Sequence, residues 1–170
     1  MSRILVVYYS RSGHTEFVAR QIAARCHADL ERIEDSSSRD GVLGYARSAL
    51  EAVFRLRPSI ERARRGPVDH DLVIVGTPVW FWGVASPVRT WVHRHRAELN
   101  NVAVFCTCGG SGHAKALDDL EALCGHHALA RLEQGVEHVG DRGHARRRRG
   151  GRLASFEHPQ LLLEHRHGRV

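Results

Sequence analysis

Three short and almost unbroken apolar runs constrain the fold of this chain more than any other feature. They are RILVVYY (3–9), DLVIVGT (71–77) and NVAVFCT (101–107), and all contain β-branched residues. Runs of this length and composition are typical of strands buried on both faces, as in the centre of a parallel sheet. Each run is followed by a glycine-containing turn and then by apolar residues at helical spacing. The pattern therefore predicts repeated strand–helix units.

The rest of the periodicity completes a β-α-β-α-β-α-β-α-β order. The predicted helices are Thr15 to about Cys26, Gly41 to about Arg57, one beginning near Pro87, and one containing Leu117, Leu120 and Cys124. Weaker strands are predicted at 28–34 and 128–133, and Pro78 is expected to end the second apolar strand. This order predicts a doubly wound, five-stranded parallel α/β sheet with helices on both faces.

The positive charge is concentrated at one end of the chain. Of the formal net charge of +6, residues 143–170 contribute +5, from seven Arg and two Glu, while residues 1–142 hold 18 Lys and Arg against 17 Asp and Glu. A nearly neutral domain gives no reason to expect nucleic-acid binding. We predict one domain over 1–142 and an Arg/His-rich, disordered or non-native tail over 143–170.

The tail contains no helical stripe, although a doubly wound sheet should end with one more amphipathic helix. The closing helix is therefore atypical or missing in this sequence. One explanation is that the residues after about Arg142 come from a shifted reading frame that replaced the helix. The alternative is a genuine basic tail.

Cysteine usage and hydropathy indicate a cytoplasmic protein with reduced thiols. No apolar run approaches the roughly 20 residues that a membrane-spanning helix needs. The four cysteines, Cys26, Cys106, Cys108 and Cys124, lack the paired spacings of a zinc ribbon or a disulfide scaffold. Cys106 and Cys108 resemble a redox pair, but they are interpreted as a core thiol and a loop thiol.

The turn after the first apolar run, SRSGHT (10–15), has the composition of an anion site. It places the hydroxyls of Ser10, Ser12 and Thr15 beside Gly13 at the start of a helix, where free backbone N–H groups favour an anion. The turn lacks both the Gly-Lys-Ser/Thr ending of a nucleoside triphosphate loop and the G-x-G-x-x-G of a dinucleotide site. A terminal monophosphate fits best, although the same residues would also suit a simple helix cap.

Two further turns lie at the same predicted sheet edge, where open α/β sheets bind ligands. In TPVWFWG (77–83) three large aromatic residues stand in a row, which suits stacking on a planar heterocycle, core packing or an interface between copies. The small residues of TCGGSG (107–112) would let backbone amides approach a ligand closely.

The three turns in this order, with the segments VGTPVWFWGVASPVRTW and TCGGSGHAKALDDLE, resemble the flavodoxin family over roughly residues 3–133. The resemblance implies sheet order 2-1-3-4-5 and FMN as cofactor. It implies that the FMN phosphate is held by Ser10, Arg11, Ser12, Gly13, His14 and Thr15. It also implies that the isoalloxazine ring is flanked by Pro78, Val79, Trp80, Phe81, Trp82, Gly83, Thr107, Cys108, Gly109, Gly110, Ser111 and Gly112, with Trp80 stacked on it.

The resemblance implies an oxidoreductase in which the flavin carries the chemistry and no side chain need act as acid or base. An NAD(P)H-dependent quinone reductase and a passive electron carrier are both consistent with it, and a homodimer is also an expectation. A nearly neutral domain does not favour docking to a basic redox protein. The alternative from another class is a flavin-free binding module whose basic tail contacts nucleic acid or acidic partners.

Overall fold

A computed structural model describes residues 3–35 and 58–135 of the chain. The strands are β1 (Ile4–Tyr8), β2 (Asp29–Arg32), β3 (Leu72–Trp80), β4 (Gly83–Val84), β5 (Val102–Cys108) and β6 (Arg131–Gly135). The helices are α1 (His14–Cys26), α2 (Ser86–His95) and α3 (His113–Cys124), with short 3₁₀ turns at Pro67–Asp69 and Arg96–Glu98. The helix predicted over 41–57 and the tail over 143–170 lie outside the described residues, and so does the place of a closing helix.

The sheet has the order β2-β1-β3-β5-β6, and all of these strands are parallel. This is the predicted order 2-1-3-4-5, and the α/β class is confirmed. One element is additional: the two-residue strand β4 pairs antiparallel with the end of β3.

The two faces of the sheet carry separate apolar cores, because alternate residues of each strand point in opposite directions. On one face Ile4 and Val6 of β1 pack with Val18 and Ile22 of α1. On the other face, the residues packed together include Leu5, Val7, Val88, Trp91, Val92, Leu117 and Leu120, from β1, α2 and α3. The predicted burial of one side is confirmed for α1, α2 and α3. Among the described residues, no helix is both long and apolar enough to span a bilayer.

A close contact joins β3 to β5 in the middle of the sheet. Gly76 lies opposite Phe105, and a Cβ atom on Gly76 would come within 2.0 Å of Cζ of the Phe105 ring. Phe105 is fully buried, so the ring cannot move into solvent. The absence of a side chain at position 76 is what makes room for this ring.

The prediction that Pro78 ends its strand is wrong, since β3 continues to Trp80. Tyr9 donates its backbone N–H to Gly76 O, so Gly76 directs its polar groups towards β1, and Pro78, two residues later, has the same orientation. Pairing with β1 already ends at Tyr8 and Gly76. The missing N–H of Pro78 therefore costs no ladder hydrogen bond, and the proline is tolerated at this edge.

Candidate functional site

The first turn, residues 10–15, is held by a hydrogen bond within the turn. Gly13 adopts φ +86°, and its backbone N–H donates to Oγ of Ser10 at 3.1 Å. Helix α1 begins with Phe17 N–H donating to Gly13 O at 2.8 Å, so the first-turn N–H groups have no acceptor inside the helix. A Cβ on Gly13 would meet no atom within 4 Å. The turn thus combines helix N–H groups that lack a helical acceptor with open space beside Gly13.

A buried hydrogen bond connects this turn to β5. Oγ1 of Thr15 lies 2.8 Å from Oγ1 of Thr107, and the two residues are only 2% and 4% exposed. Thr107 belongs to β5 rather than to a loop, as does Cys108, so the predicted third loop is shorter than 107–112. The bond brings two of the predicted site residues together, although they stand 92 positions apart.

The aromatic segment is a tight hairpin rather than a loop. β3 and β4 pair through Trp80 and Gly83, which leaves Phe81 and Trp82 as the two turn residues. Both have positive φ, +46° and +57°, as a type I′ turn requires. Bulky residues rarely adopt this conformation, so the turn is strained and depends on its surroundings.

The three rings of the hairpin differ in exposure. Trp80 is half-buried and meets Tyr9 edge-on, with ring centroids 5.5 Å apart. Phe81 is 47% exposed and Trp82 is 59% exposed. The hairpin therefore anchors one ring against the core and presents two at the sheet edge.

Two contacts support the hairpin. Nε1 of Trp82 donates to Oγ of Ser111 at 3.3 Å, and a Cβ on Gly112 would lie 2.5 Å from Cδ1 of Trp82. Beneath the turn, Arg89 of α2 is 6% exposed, and its Nε donates to Val84 O at 2.9 Å. Nη2 of Arg89 lies 3.0 Å from the place of a Cβ on Gly83. The hairpin is thus held by the third loop on one side and by a buried guanidinium on the other.

The most accessible thiol in the chain lies at the end of β5, directly before the third loop. Cys108 is half-buried; its Sγ accepts from the N–H of Gly110 and donates to Ser111 O, both at 3.3 Å. Cys106 is fully buried in the core that packs against α2 and α3. Burial raises the pKa of its thiol to about 12. The expectation that Cys106 is a core thiol is confirmed.

The remaining predicted site residues lie along the same sheet edge. Arg11, Ser12 and His14 are exposed on the first turn, Pro78 and Val79 are half-buried on β3, and Gly109 and Gly110 are exposed. Ser10 is 3% exposed, and Arg32 of β2 approaches Ser10 O at 3.4 Å. Within residues 3–35 and 58–135 no group of three His, Cys, Asp or Glu side chains is arranged to hold a metal ion.

The arrangement fits a ligand with an anionic end and a flat apolar end. Hydroxyls and helix N–H groups suit a phosphate, and the aromatic hairpin with an open glycine loop suits a planar ring. The Thr15–Thr107 bond and the Trp82–Ser111 bond connect the three segments that these groups come from.

Sequence reasoning did not identify the Thr15–Thr107 bond, Arg89, Tyr9 or strand β4. The Trp-Phe-Trp-Gly sequence lacks the Asn-Gly or Asp-Gly signal of a type I′ turn, so nothing local indicated a hairpin. One signal was available for Arg89. This charged residue stands between Val88 and Trp91 on an otherwise apolar helix face, which indicates a buried guanidinium that needs a hydrogen-bond acceptor.

Comparisons with known proteins agree with the fold. A family model described as Flavodoxin matches residues 3–134. A flavoprotein from Lactobacillus acidophilus NCFM, crystallised in complex with FMN, superposes with a TM-score of 0.68 at 24% identity, covering 78% of this chain and 93% of that chain. A flavodoxin, WrbA-like protein from Agrobacterium tumefaciens gives a TM-score of 0.56 at 17% identity, covering 97% of this chain and 94% of that chain.

Curated relatives named NAD(P)H dehydrogenase (quinone) match a smaller part. The protein from Trichlorobacter lovleyi is 29% identical over 98 residues, which is 54% of this chain and 47% of the relative. The protein from Chromohalobacter salexigens is 31% identical over 99 residues, 54% of this chain and 46% of the relative. The match therefore spans just under half the length of these relatives.

Proposed function

This chain belongs to the flavodoxin family, and on that premise we propose that it binds FMN at the carboxyl edge of its sheet and acts as an electron-transferring oxidoreductase. Two hydrogen bonds carry the proposal. The bond between Thr15 and Thr107 joins the start of α1 to β5. The bond between Trp82 and Ser111 joins the aromatic hairpin to the loop that follows β5. A neighbour of the same fold was crystallised with FMN.

The first turn would hold the phosphate. Ser10, Ser12 and Thr15 offer hydroxyls, the start of α1 offers N–H groups, and Arg11 and His14 are exposed beside them. Ser10 already accepts a hydrogen bond from Gly13, which fixes the shape of the turn in advance. Pre-formed geometry of this kind lowers the ordering cost of binding.

The hairpin and the third loop would flank the ring. Trp80 is the stacking residue in this proposal, because Tyr9 meets it edge-on and holds it in place. The open backbone at Gly110 leaves room for a ring edge to approach. Bound FMN would supply one- or two-electron transfer, while these residues position the ring and limit its contact with water.

The electron donor and acceptor are also part of the proposal. Curated relatives are named NAD(P)H dehydrogenase (quinone). Phe81 and Trp82 give the site edge an exposed apolar surface, on which a planar acceptor such as a quinone can stack. The near-neutral charge of residues 1–142 favours a small acceptor over a basic protein partner.

The test is a titration of the purified protein with FMN, followed by visible absorbance and thermal unfolding. Binding should change the flavin spectrum and raise Tm, and a colourless protein with neither change would contradict the proposal. The loaded protein is then mixed with NADH or NADPH and benzoquinone. Oxidation of the nicotinamide that requires the quinone indicates a reductase, whereas a flavin-loaded protein without it is a passive carrier.

A further inference from the structure

The buried threonine pair has one more proton than it uses. Each hydroxyl carries one proton and two lone pairs, and the single bond between Thr15 and Thr107 consumes one proton. In the two described ranges neither hydroxyl makes another hydrogen bond. Because both residues are almost fully buried, one hydroxyl proton is left in the protein without an acceptor.

The position of that proton depends on which threonine donates. If Thr107 donates to Thr15, the free proton belongs to Thr15, the second residue of α1. If Thr15 donates to Thr107, the free proton stays on the strand. An anion bound at residues 10–15 favours donation from Thr107 to Thr15. The anion then supplies the missing acceptor for the Thr15 proton, and the resulting hydrogen bond is charge-assisted.

We propose that Thr107 is a positioning residue for the phosphate: it donates to Thr15, and Thr15 in turn donates to a phosphate oxygen. This inference rests on the proposed function and gives Thr107 a different role from the ring contact that the family resemblance implies. Thr107 lies on the α1 side of β5, because Phe105, two residues earlier, packs in the core beside α1, whereas Cys106 packs in the core on the opposite face. Its hydroxyl therefore serves the phosphate end of the cofactor.

A positioning role at the phosphate predicts selectivity for FMN over riboflavin, which has the same ring and no phosphate. Thr107→Val keeps the branched shape and removes only the hydroxyl. It should weaken FMN binding about tenfold, within the range expected for a lost hydrogen bond to a charged network. It should leave riboflavin binding within about twofold of wild type, and Thr107→Ser should restore FMN binding.

Thr90→Val is the matched control. Thr90 is another buried threonine, 6% exposed, and its hydroxyl donates to Pro58 O at 2.9 Å, away from the turn. This variant should lower Tm without changing the ratio of FMN to riboflavin affinity. Dissociation constants for both flavins, measured by fluorescence quenching on all four proteins, give the comparison.

Each outcome decides. An equal loss of FMN and riboflavin affinity in Thr107→Val, or a Thr107→Ser protein as weak as Thr107→Val, overturns the positioning role. If Thr107→Val does not fold, Thr107→Ala replaces it in the same comparison. Wild-type protein that binds no FMN contradicts the proposed function and this role together, whereas wild-type binding that Thr107→Val leaves unchanged overturns only the role of Thr107.

Discussion

The first turn and the aromatic hairpin lie at the same sheet edge and are built in opposite ways. In the turn, a glycine takes the left-handed conformation, and Ser10 bonds the N–H of Gly13 three residues away. In the hairpin, two bulky aromatic residues take that conformation, and the support comes from Arg89 and the third loop. The turn is thus shaped by its own sequence, while the hairpin is shaped by tertiary contacts. Substitution of a residue that supports the hairpin should therefore cost more stability and FMN affinity than substitution of a residue within the turn.

The largest effect is expected at Gly112. Alanine there would place a Cβ 2.5 Å from Cδ1 of Trp82 at φ +99°, which adds a clash to backbone strain. Gly112→Ala should lower the free energy of unfolding by about 2–4 kcal/mol and weaken FMN binding more than about tenfold. Gly110→Ala, where a Cβ meets no atom within 4 Å, should change stability by less than about 0.5 kcal/mol. Urea unfolding and FMN titration of both variants test this, and equal losses would contradict the dependence of the hairpin on Gly112.

A smaller effect is expected at Ser10. Ser10→Ala removes the acceptor of the Gly13 N–H and should cost about 1 kcal/mol of stability. Ser12 is exposed, so Ser12→Ala should change stability little. It should lower FMN affinity, because Ser12 is one of the hydroxyl residues proposed to hold the phosphate. Thermal unfolding of the two variants without flavin separates these roles. A Ser12→Ala protein as destabilised as Ser10→Ala would show that the turn is not held by its own hydrogen bond.

The rings of the hairpin can be compared through the flavin potential. Stacking of Trp80 should disfavour the electron-rich reduced ring, so Trp80→Leu should raise the midpoint potential of bound FMN by about 10–30 mV. Trp82→Leu should leave the potential nearer to wild type, because Trp82 contacts Ser111 and Gly112. Spectroelectrochemical titration of both proteins provides the measurement. A larger shift in Trp82→Leu would assign the stacking to the outer ring instead.

The smallest effect concerns the reactivity and ionisation of the cysteine thiols. Burial raises the pKa of Cys106 and of Cys124 to about 12, above the ordinary value of 9.0, so both stay protonated in the folded protein. At pH 8 a thiol reagent should modify the half-buried Cys108 first, and Cys108→Ser should abolish that phase. The raised pKa values also make stability depend on pH. The free energy of unfolding should fall as the pH rises from 9 towards 12, because the thiols ionise at a lower pH in the unfolded chain than in the folded protein. Reaction of the buried thiols as fast as Cys108 would show that the sheet opens readily.

The fold was predictable where the pattern was local and strong. The apolar runs located β1, β3 and β5, and the alternation of strands and helices predicted a doubly wound parallel sheet, while its strand order came from the resemblance to the flavodoxin family. The hydroxyl turn could also be predicted, because its signal lies within six consecutive residues, and the flavodoxin family could be predicted from three such local segments in their order along the chain.

The remaining features depend on contacts between distant residues. The continuation of β3 beyond Pro78 depends on where β1 stops, which no segment of β3 encodes. The hairpin conformation depends on Arg89 and Gly112, and the Thr15–Thr107 bond joins two segments far apart in the chain. Such pairings follow from the assembled sheet and not from any local spacing.

The contact between Gly76 and Phe105 has an evolutionary consequence. Since the ring of Phe105 occupies the space of a side chain at position 76, neither position can be inherited independently of the other. A lineage that acquires alanine at 76 must first, or at the same time, replace the phenylalanine by a smaller residue. The two residues therefore form one unit of variation that links the strand carrying the aromatic hairpin to the strand carrying Thr107.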